Sequence, residues 1–177
     1  GTVPDLVVIV VPPPAVPDVM RQCAEVGARA AIVITAGFRE VGPDGRKLED
    51  SVIRIARQSG IRVLGPNCLG IMVPPRRLNA SFGGELPKCG HIGYLSQSGA
   101  LLTALLDMAR ARDMGFSTLV SIGNKADVDE LDVIKALGEH DETTVIAGYL
   151  ESITDGSAFV QQAERISRHK PILLMKS

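Results

Sequence analysis

Short apolar, β-branched runs recur along this chain, each followed by a longer stretch with apolar residues at helical spacing, and no other pattern constrains the fold as much. The runs lie at residues 6–11, 30–35, 61–64, 91–95, 117–121, 143–150 and 171–175. The first is continuous rather than alternating, which reads as a strand buried on both faces. Between the runs, helices are predicted at 17–26, 48–59, 99–112, 128–137 and 156–167. In the second of these, Val52, Ile53, Ile55 and Ala56 share one face and Gly60 supplies the stop. Strict alternation with right-handed crossovers places helices on both faces of each parallel sheet, so the chain is α/β.

Residues 73–90 break both periodicities with Pro74, Pro75, Gly83, Gly84, Pro87 and Gly90, and read as a linker between units at 1–72 and 91–177. The first unit lacks an opening strand and glycine loop and the second ends on a strand, so both ends read as cut from a longer chain. With 177 residues, 45% hydrophobic and 22% charged, a packed core is expected. Nineteen Lys and Arg against twenty Asp and Glu give a net charge of −1 without a basic cluster, which argues against a nucleic-acid partner. The run at 6–11 stops at Pro12, far short of the ~20 residues of a bilayer span, so no membrane segment is expected. The three cysteines, Cys23, Cys68 and Cys89, form no C-x-x-C pair, which argues against a zinc site or disulfide framework and fits a reducing cytoplasm. Nothing at the start resembles a signal peptide.

In open parallel sheets, ligands gather beyond the carboxyl ends of the strands, where loops and helix N-termini meet. After the second strand, Ile34-Thr35-Ala36-Gly37-Phe38 forms a small-residue turn that a ligand can approach closely. After the third, Gly65-Pro66-Asn67-Cys68-Leu69-Gly70 combines a fixed φ with an amide that donates and accepts. Ser96-Gln97-Ser98-Gly99 opens a helix and offers hydroxyls and unpaired N–H groups at its positive end. That makes either an anion site or, at Ser98, a plain helix cap. Glu151 follows the strand at 143–150, either as a solvated charge or as a carboxylate that orients a histidine. Cys68 has no histidine near it in sequence and reads as a small buried hydrophobe rather than a nucleophile. His91, His140 and His169 sit beside loops without ligand spacing, and no metal site is expected. In Gly123-Asn124-Lys125-Ala126-Asp127, Asn124 and Lys125 could reach a phosphate or a carboxylate, while Asp127 or Asp129 could cap the next helix.

Taken in order, seven motifs resemble those of the NDP-forming acyl-CoA synthetases, relatives of the succinyl-CoA synthetase α subunit. They are Val11-Pro12-Pro13-Pro14, the turn at 34–38, the turn at 65–70, Leu78-Asn79-Ala80-Ser81-Phe82, Ser96-Gln97-Ser98-Gly99-Ala100, the stretch at 123–127 and Tyr149-Leu150-Glu151. The likeness runs over nearly the whole chain. It implies a partial Rossmann-like CoA-binding domain followed by a flavodoxin-like, doubly wound parallel-sheet ligase domain. It also implies interconversion of acyl-CoA, phosphate and ADP with acid, CoA and ATP, through an acyl phosphate and a phosphorylated histidine. By resemblance, Pro12, Pro13, Pro14, Ile34, Thr35 and Ala36 line the CoA, with Asn67 and Cys68 near its thiol. Ser96, Gln97, Ser98 and Gly99 receive the phosphate, Thr103, Asn124 and Lys125 meet substrate, and Glu151 is the catalytic carboxylate that orients the histidine. A helix terminus of this kind supplies preorganised positive potential to a phosphoryl group.

The resemblance also marks what the chain lacks. The family's glycine loop for the CoA phosphates would precede residue 1, and the histidine would follow Met175-Lys176-Ser177. ATP or ADP with Mg would be held mainly by an ATP-grasp domain outside this chain, the implied partner within an oligomer. The fragment is therefore expected to be inactive alone, while its parent acts on a small-molecule acid or acyl-CoA. The alternative is the regulatory, synthetase-like domain of a protein lysine acetyltransferase. Gly99 and the motif at 123–127 look more like the catalytic branch.

Overall fold

The apolar runs assemble into two sheets, and the computed structural model describes residues 2–177. The first half alternates β1 (Leu6–Ile9), α1 (Val16–Glu25), β2 (Ala30–Val33), α2 (Pro43–Ser59) and β3 (Arg62–Leu64). Its strands run parallel in the order β1-β2-β3, with Leu6 opposite Ala30 and Ala30 opposite Arg62. Val16 and Met20 of α1 and Val52 and Ala56 of α2 bury against Ile9, Val33 and Val63. α2 begins at Pro43 rather than near residue 48. Proline in the first turn is preset for a helix and Asp44 suits its positive end, but such a polar turn carries no apolar period. The helix stops at Gly60, with φ 72°, as expected.

The second half contributes β4 (Gly70–Val73), β5 (Leu78–Ser81), β6 (Lys88–Ser96), α3 (Gly99–Ala111), β7 (Gly115–Ser121), α4 (Glu130–Glu139), β8 (Val145–Leu150), α5 (Gly156–Ser167) and β9 (Ile172–Lys176). The sheet order is β5-β4-β7-β6-β8-β9. Counted from β6, the parallel strands lie second, first, third, fourth, which is the flavodoxin-like arrangement. β4 pairs antiparallel with both β5 and β7, so this sheet is mixed rather than wholly parallel. Residues 73–90, expected as a linker, instead carry the end of β4, the 3₁₀ turn at Pro74–Arg76, β5 and the start of β6. Proline and glycine there mark the turns of a hairpin at a sheet edge, where such residues are tolerated, and not an absence of strand. α4 and α5 close one face over Leu95, Ile122 and Ile146, while α3 packs on Tyr94, Phe116 and Leu119 with Met72 beneath.

The two sheets meet through backbone as well as side chains. The segment between β7 and α4 runs along the open edge of β3: Val128 N donates to Val63 O (3.0 Å), Ala126 N to Gly65 O (3.1 Å) and Asn124 N to Pro66 O (2.9 Å). Asp127 seals the join, accepting from Val63 N at 2.8 Å and from Arg62 Nε at 3.0 Å, and Arg62 also reaches Asp132 at 2.8 Å. Capping of α4 falls to Asp129, which accepts from Leu131 N and Asp132 N. The carboxyl ends of both sets of strands thereby face one crevice.

Candidate functional site

Strands β6 and β8 are neighbours, yet the helices that follow them leave in opposite directions, and the loops part to open a cleft at this switch point. Ser96 ends β6 fully buried, its Oγ donating to Ser98 O (2.7 Å) and accepting from Ser98 N (3.2 Å). Its hydroxyl is thus committed to shaping the turn, and Ser96 is not among the residues that line the cleft. Ser98 caps α3, accepting from Leu101 N at 3.2 Å. Capping and anion binding are compatible here. Gly99 and Ala100 occupy the first turn, where no intrahelical acceptor exists, and both line the cleft with Ser98.

Gln97 joins this turn to the end of β8. Its N–H donates to Tyr149 O (2.9 Å), and its Oε1 accepts from Glu151 N (3.0 Å) and Ser152 N (3.1 Å). Its amide oxygen thus positions the loop, while Nε2 donates to Ser152 Oγ (3.2 Å) and Gln97 remains among the residues that line the cleft. Glu151, held by this clasp, is exposed on the cleft wall beside Gln97 and Ser98. The carboxylate and the helix terminus share one site.

The opposite wall comes from the first sheet. The cleft, about 820 Å³, reaches Ile34, Asn67, Cys68 and Leu69 at the strand ends. Thr35 Oγ1 donates to Val11 O (2.7 Å) and Thr35 O accepts from Asn67 N (3.0 Å), tying the ends of all three strands. Pro12, Pro13, Pro14, Thr35 and Ala36 build the shoulder beside the cleft and are not among its lining residues. Gly123, at φ 54°, lies so close to the turn at 65–70 that a Cβ would sit 2.3 Å from Pro66 O, which explains glycine at this position. Asn124 follows it, buried, with Nδ2 donating to Glu40 Oε2 (2.6 Å) and Glu49 Oε2 (2.8 Å) and Oδ1 accepting from Asn67 Nδ2 (3.3 Å). Burial alone would raise the Glu40 carboxyl. The Asn124 amide and the Gly37 and Phe38 N–H groups outweigh it and hold Glu40 below its usual value.

Two expected substrate residues point elsewhere. Lys125 pairs with Glu130 at 2.7 Å, with side chains 4% and 1% exposed, and donates to Ser152 O (3.0 Å). Its charge is spent on locking the β7–α4 segment to the loop after β8. Burial would raise Glu130, but the bonds from Lys125 and Thr154 N win and lower it. Thr103 Oγ1 donates to Gly99 O (3.1 Å) within α3 and does not line the cleft. Cys68 is 6% exposed and burial pushes its thiol up to about 12, as a small buried hydrophobe requires. Among the described residues, no three His, Cys, Asp or Glu side chains gather as a metal site. Sequence reasoning missed Arg39, Glu40, Arg46 and Glu49. All but Glu49 line the cleft, and Glu49 pairs with Arg39 at 3.5 Å behind it. No apolar period marks this polar stretch in sequence; the 3₁₀ turn at Arg39–Val41 and the early start of α2 make it an ordered wall.

A flavodoxin-like sheet with a helix terminus at its switch point is set edge to edge against a second α/β unit. Residues 89–177 match the family described as succinyl-CoA ligase like flavodoxin domain, and residues 1–74 the CoA binding domain. The chain belongs to the NDP-forming acyl-CoA synthetases, the family of the succinyl-CoA synthetase α subunit. It is 44% identical to an ADP-forming acetate–CoA ligase of Methanocaldococcus jannaschii over 98% of this chain and 24% of that protein. It is 39% identical to the α subunit of ADP-forming acetate–CoA ligase I of Pyrococcus furiosus, over 98% of this chain and 37% of that one. The acetyl-coenzyme A synthetase 1 of Ca. Korarchaeum cryptofilum, solved with phosphate and ADP, superposes with a TM-score of 0.93 at 42% identity, covering 97% and 37% of the two chains.

Proposed function

We propose that this chain is the CoA- and phosphate-handling part of an ADP-forming acid–CoA ligase, which interconverts acyl-CoA, ADP and phosphate with acid, CoA and ATP. One observation carries the reading: Glu151, the α3 terminus and the Asn67–Cys68 turn of the other unit line a single cleft. The cleft suits CoA, with Arg39 and Arg46 for phosphate charge and Ile34 and Leu69 for an apolar arm. When bound, CoA supplies the thiol. The chain's own residues bind and orient. The Gly99 and Ala100 N–H groups hold an oxyanion, and Gln97 keeps the two loops in register. Glu151 accepts a hydrogen bond from an imidazole brought from outside the chain, which fixes the ring's tautomer. Cys68 stays protonated and does not compete as a nucleophile.

CoA handling is assigned to the unit of β1–β3, α1 and α2, and the ligase role to the unit built on the sheet of β4–β9. Nucleotide and Mg are assigned to an ATP-grasp domain or subunit, in a cytoplasmic oligomer; the Pyrococcus relative is itself named as an α subunit. The relatives named above are acid–CoA ligases and synthetases, which gives the acetyltransferase-regulator alternative no support. The test is Glu151→Gln in the complete ligase. Histidine phosphorylation should fall by about tenfold or more, as when a partner that orients an imidazole is lost, with CoA affinity unchanged. Equal loss of both would overturn the assignment.

A further inference from the structure

β5 ends in a turn braced far beyond what a surface loop needs. Asn79 Nδ2 donates to Gly84 O (2.5 Å), while Ser81 Oγ donates to Asn79 Oδ1 (2.6 Å) and accepts from Gly83 N (3.1 Å). Phe82 N donates to Leu69 O (2.8 Å), fastening the turn to the strand-end loop of the first unit. At Gly83 a Cβ would sit 2.7 Å from Met72 Cε, so the turn is pressed onto the core under α3. This rigid mount presents Phe82, 79% exposed, to the cleft. The contrast within the chain is sharp, because the other three phenylalanines, Phe38, Phe116 and Phe159, are at most 5% exposed. An apolar ring so exposed gains none of the burial that stabilises the others. It does, however, complete an apolar wall with Leu69, Ile34 and Cys68, facing the polar wall at Ser98 and Gly99.

We propose that Phe82 contacts the ligand and tunes specificity: its ring packs on the acyl group at the thiol end of a bound acyl-CoA, favouring acyl groups with larger apolar or aromatic surface. The proposal rests on the CoA reading of the cleft, because it places the acyl group beside the Asn67–Cys68 turn to which Leu69 and Phe82 are joined.

The probes are CoA, acetyl-CoA and phenylacetyl-CoA, titrated calorimetrically into this chain and its Phe82→Ala variant. The wild-type chain should bind phenylacetyl-CoA more tightly than acetyl-CoA. Phe82→Ala should weaken phenylacetyl-CoA by about tenfold, the scale of one lost aromatic contact with its buried area, and CoA by less than about twofold. The sequence contains no tryptophan, so Phe82→Trp introduces a sole indole reporter. Its emission should shift to the blue on saturation with phenylacetyl-CoA, while Val160→Trp, at a 64% exposed position on α5, should not respond. Wild-type binding with Phe82→Ala indifferent to all three probes, or a silent Phe82→Trp at saturation, overturns the proposal and leaves the CoA reading standing. Absence of CoA binding by the complete ligase, titrated in parallel, overturns both. Circular dichroism of Phe82→Ala verifies that any loss of affinity is not loss of fold.

Discussion

Lys125→Met removes one partner of the buried pair that locks the segment after β7 to the loop after β8. The side chains of Lys125 and Glu130 are 4% and 1% exposed, so Glu130 would be left as an uncompensated charge in a dry site. Breaking such a pair typically costs about 3–5 kcal/mol. Glu130 keeps the Thr154 N–H as a donor, which places the expected loss near the lower end, about 3 kcal/mol. For a chain of this size that corresponds to a fall in Tm of roughly 6–12 °C. The double variant Lys125→Met with Glu130→Gln retains an acceptor for Thr154 and removes the stranded charge, so it should recover part of the loss. The pH dependence carries the sign. In the wild type the Glu130 carboxyl titrates below its ordinary 4.5, so the pair's contribution is complete at neutral pH and is lost as pH falls through that lowered value. Without Lys125, burial pushes the same carboxyl up, protonation relieves it, and the deficit relative to wild type should shrink as pH falls from 7 towards 4. Urea unfolding followed by circular dichroism at several pH values measures this. A loss under about 1 kcal/mol, or a deficit that ignores pH, would refute the reasoning.

Other expectations follow from single contacts. Gly123→Ala puts a Cβ against Pro66 O at a positive φ and should cost more than about 2 kcal/mol in denaturant unfolding; a neutral result would mean the two loops are not apposed as described. Ser98→Ala removes the cap of α3 and should cost about 1 kcal/mol, with Ser98→Gly costing less, and equal effects would deny the cap its role. Iodoacetamide at mildly alkaline pH should label exposed Cys89 in the native chain and spare Cys68, whose thiol burial holds at about 12; peptide mapping that finds Cys68 modified first would contradict this.

The parallel elements were legible in sequence because burial leaves uninterrupted apolar runs, as in β2, and because helix stops such as Gly60 have a backbone reason; β1, read as buried on both faces, instead lies at the end of its sheet with Val8 40% exposed. The β4–β5 hairpin was hidden. Its strands are four residues each at a sheet edge, and the prolines between them look like a linker until their antiparallel partner β7 is known. Backbone position was readable: the strand-end placing of the α3 terminus and of Glu151 in sequence anticipates that both line one cleft. Side-chain direction was not readable. Lys125 follows a cleft residue yet turns inward to Glu130, and the Gln97 amide oxygen is taken by main-chain donors of the β8 loop. Residue type and spacing do not reveal such commitments, because both partners are distant in sequence.

Main-chain bonds from residues 124–128 to the rim of β3 make the two sheets behave as one continuous slab across the cleft. Peptide geometry then sets the gap between the turn at 65–70 and the start of α3. Side chains on either bank can vary while the main-chain seam keeps that spacing, so the width of the cleft is a property of the backbone and its lining a property of the sequence.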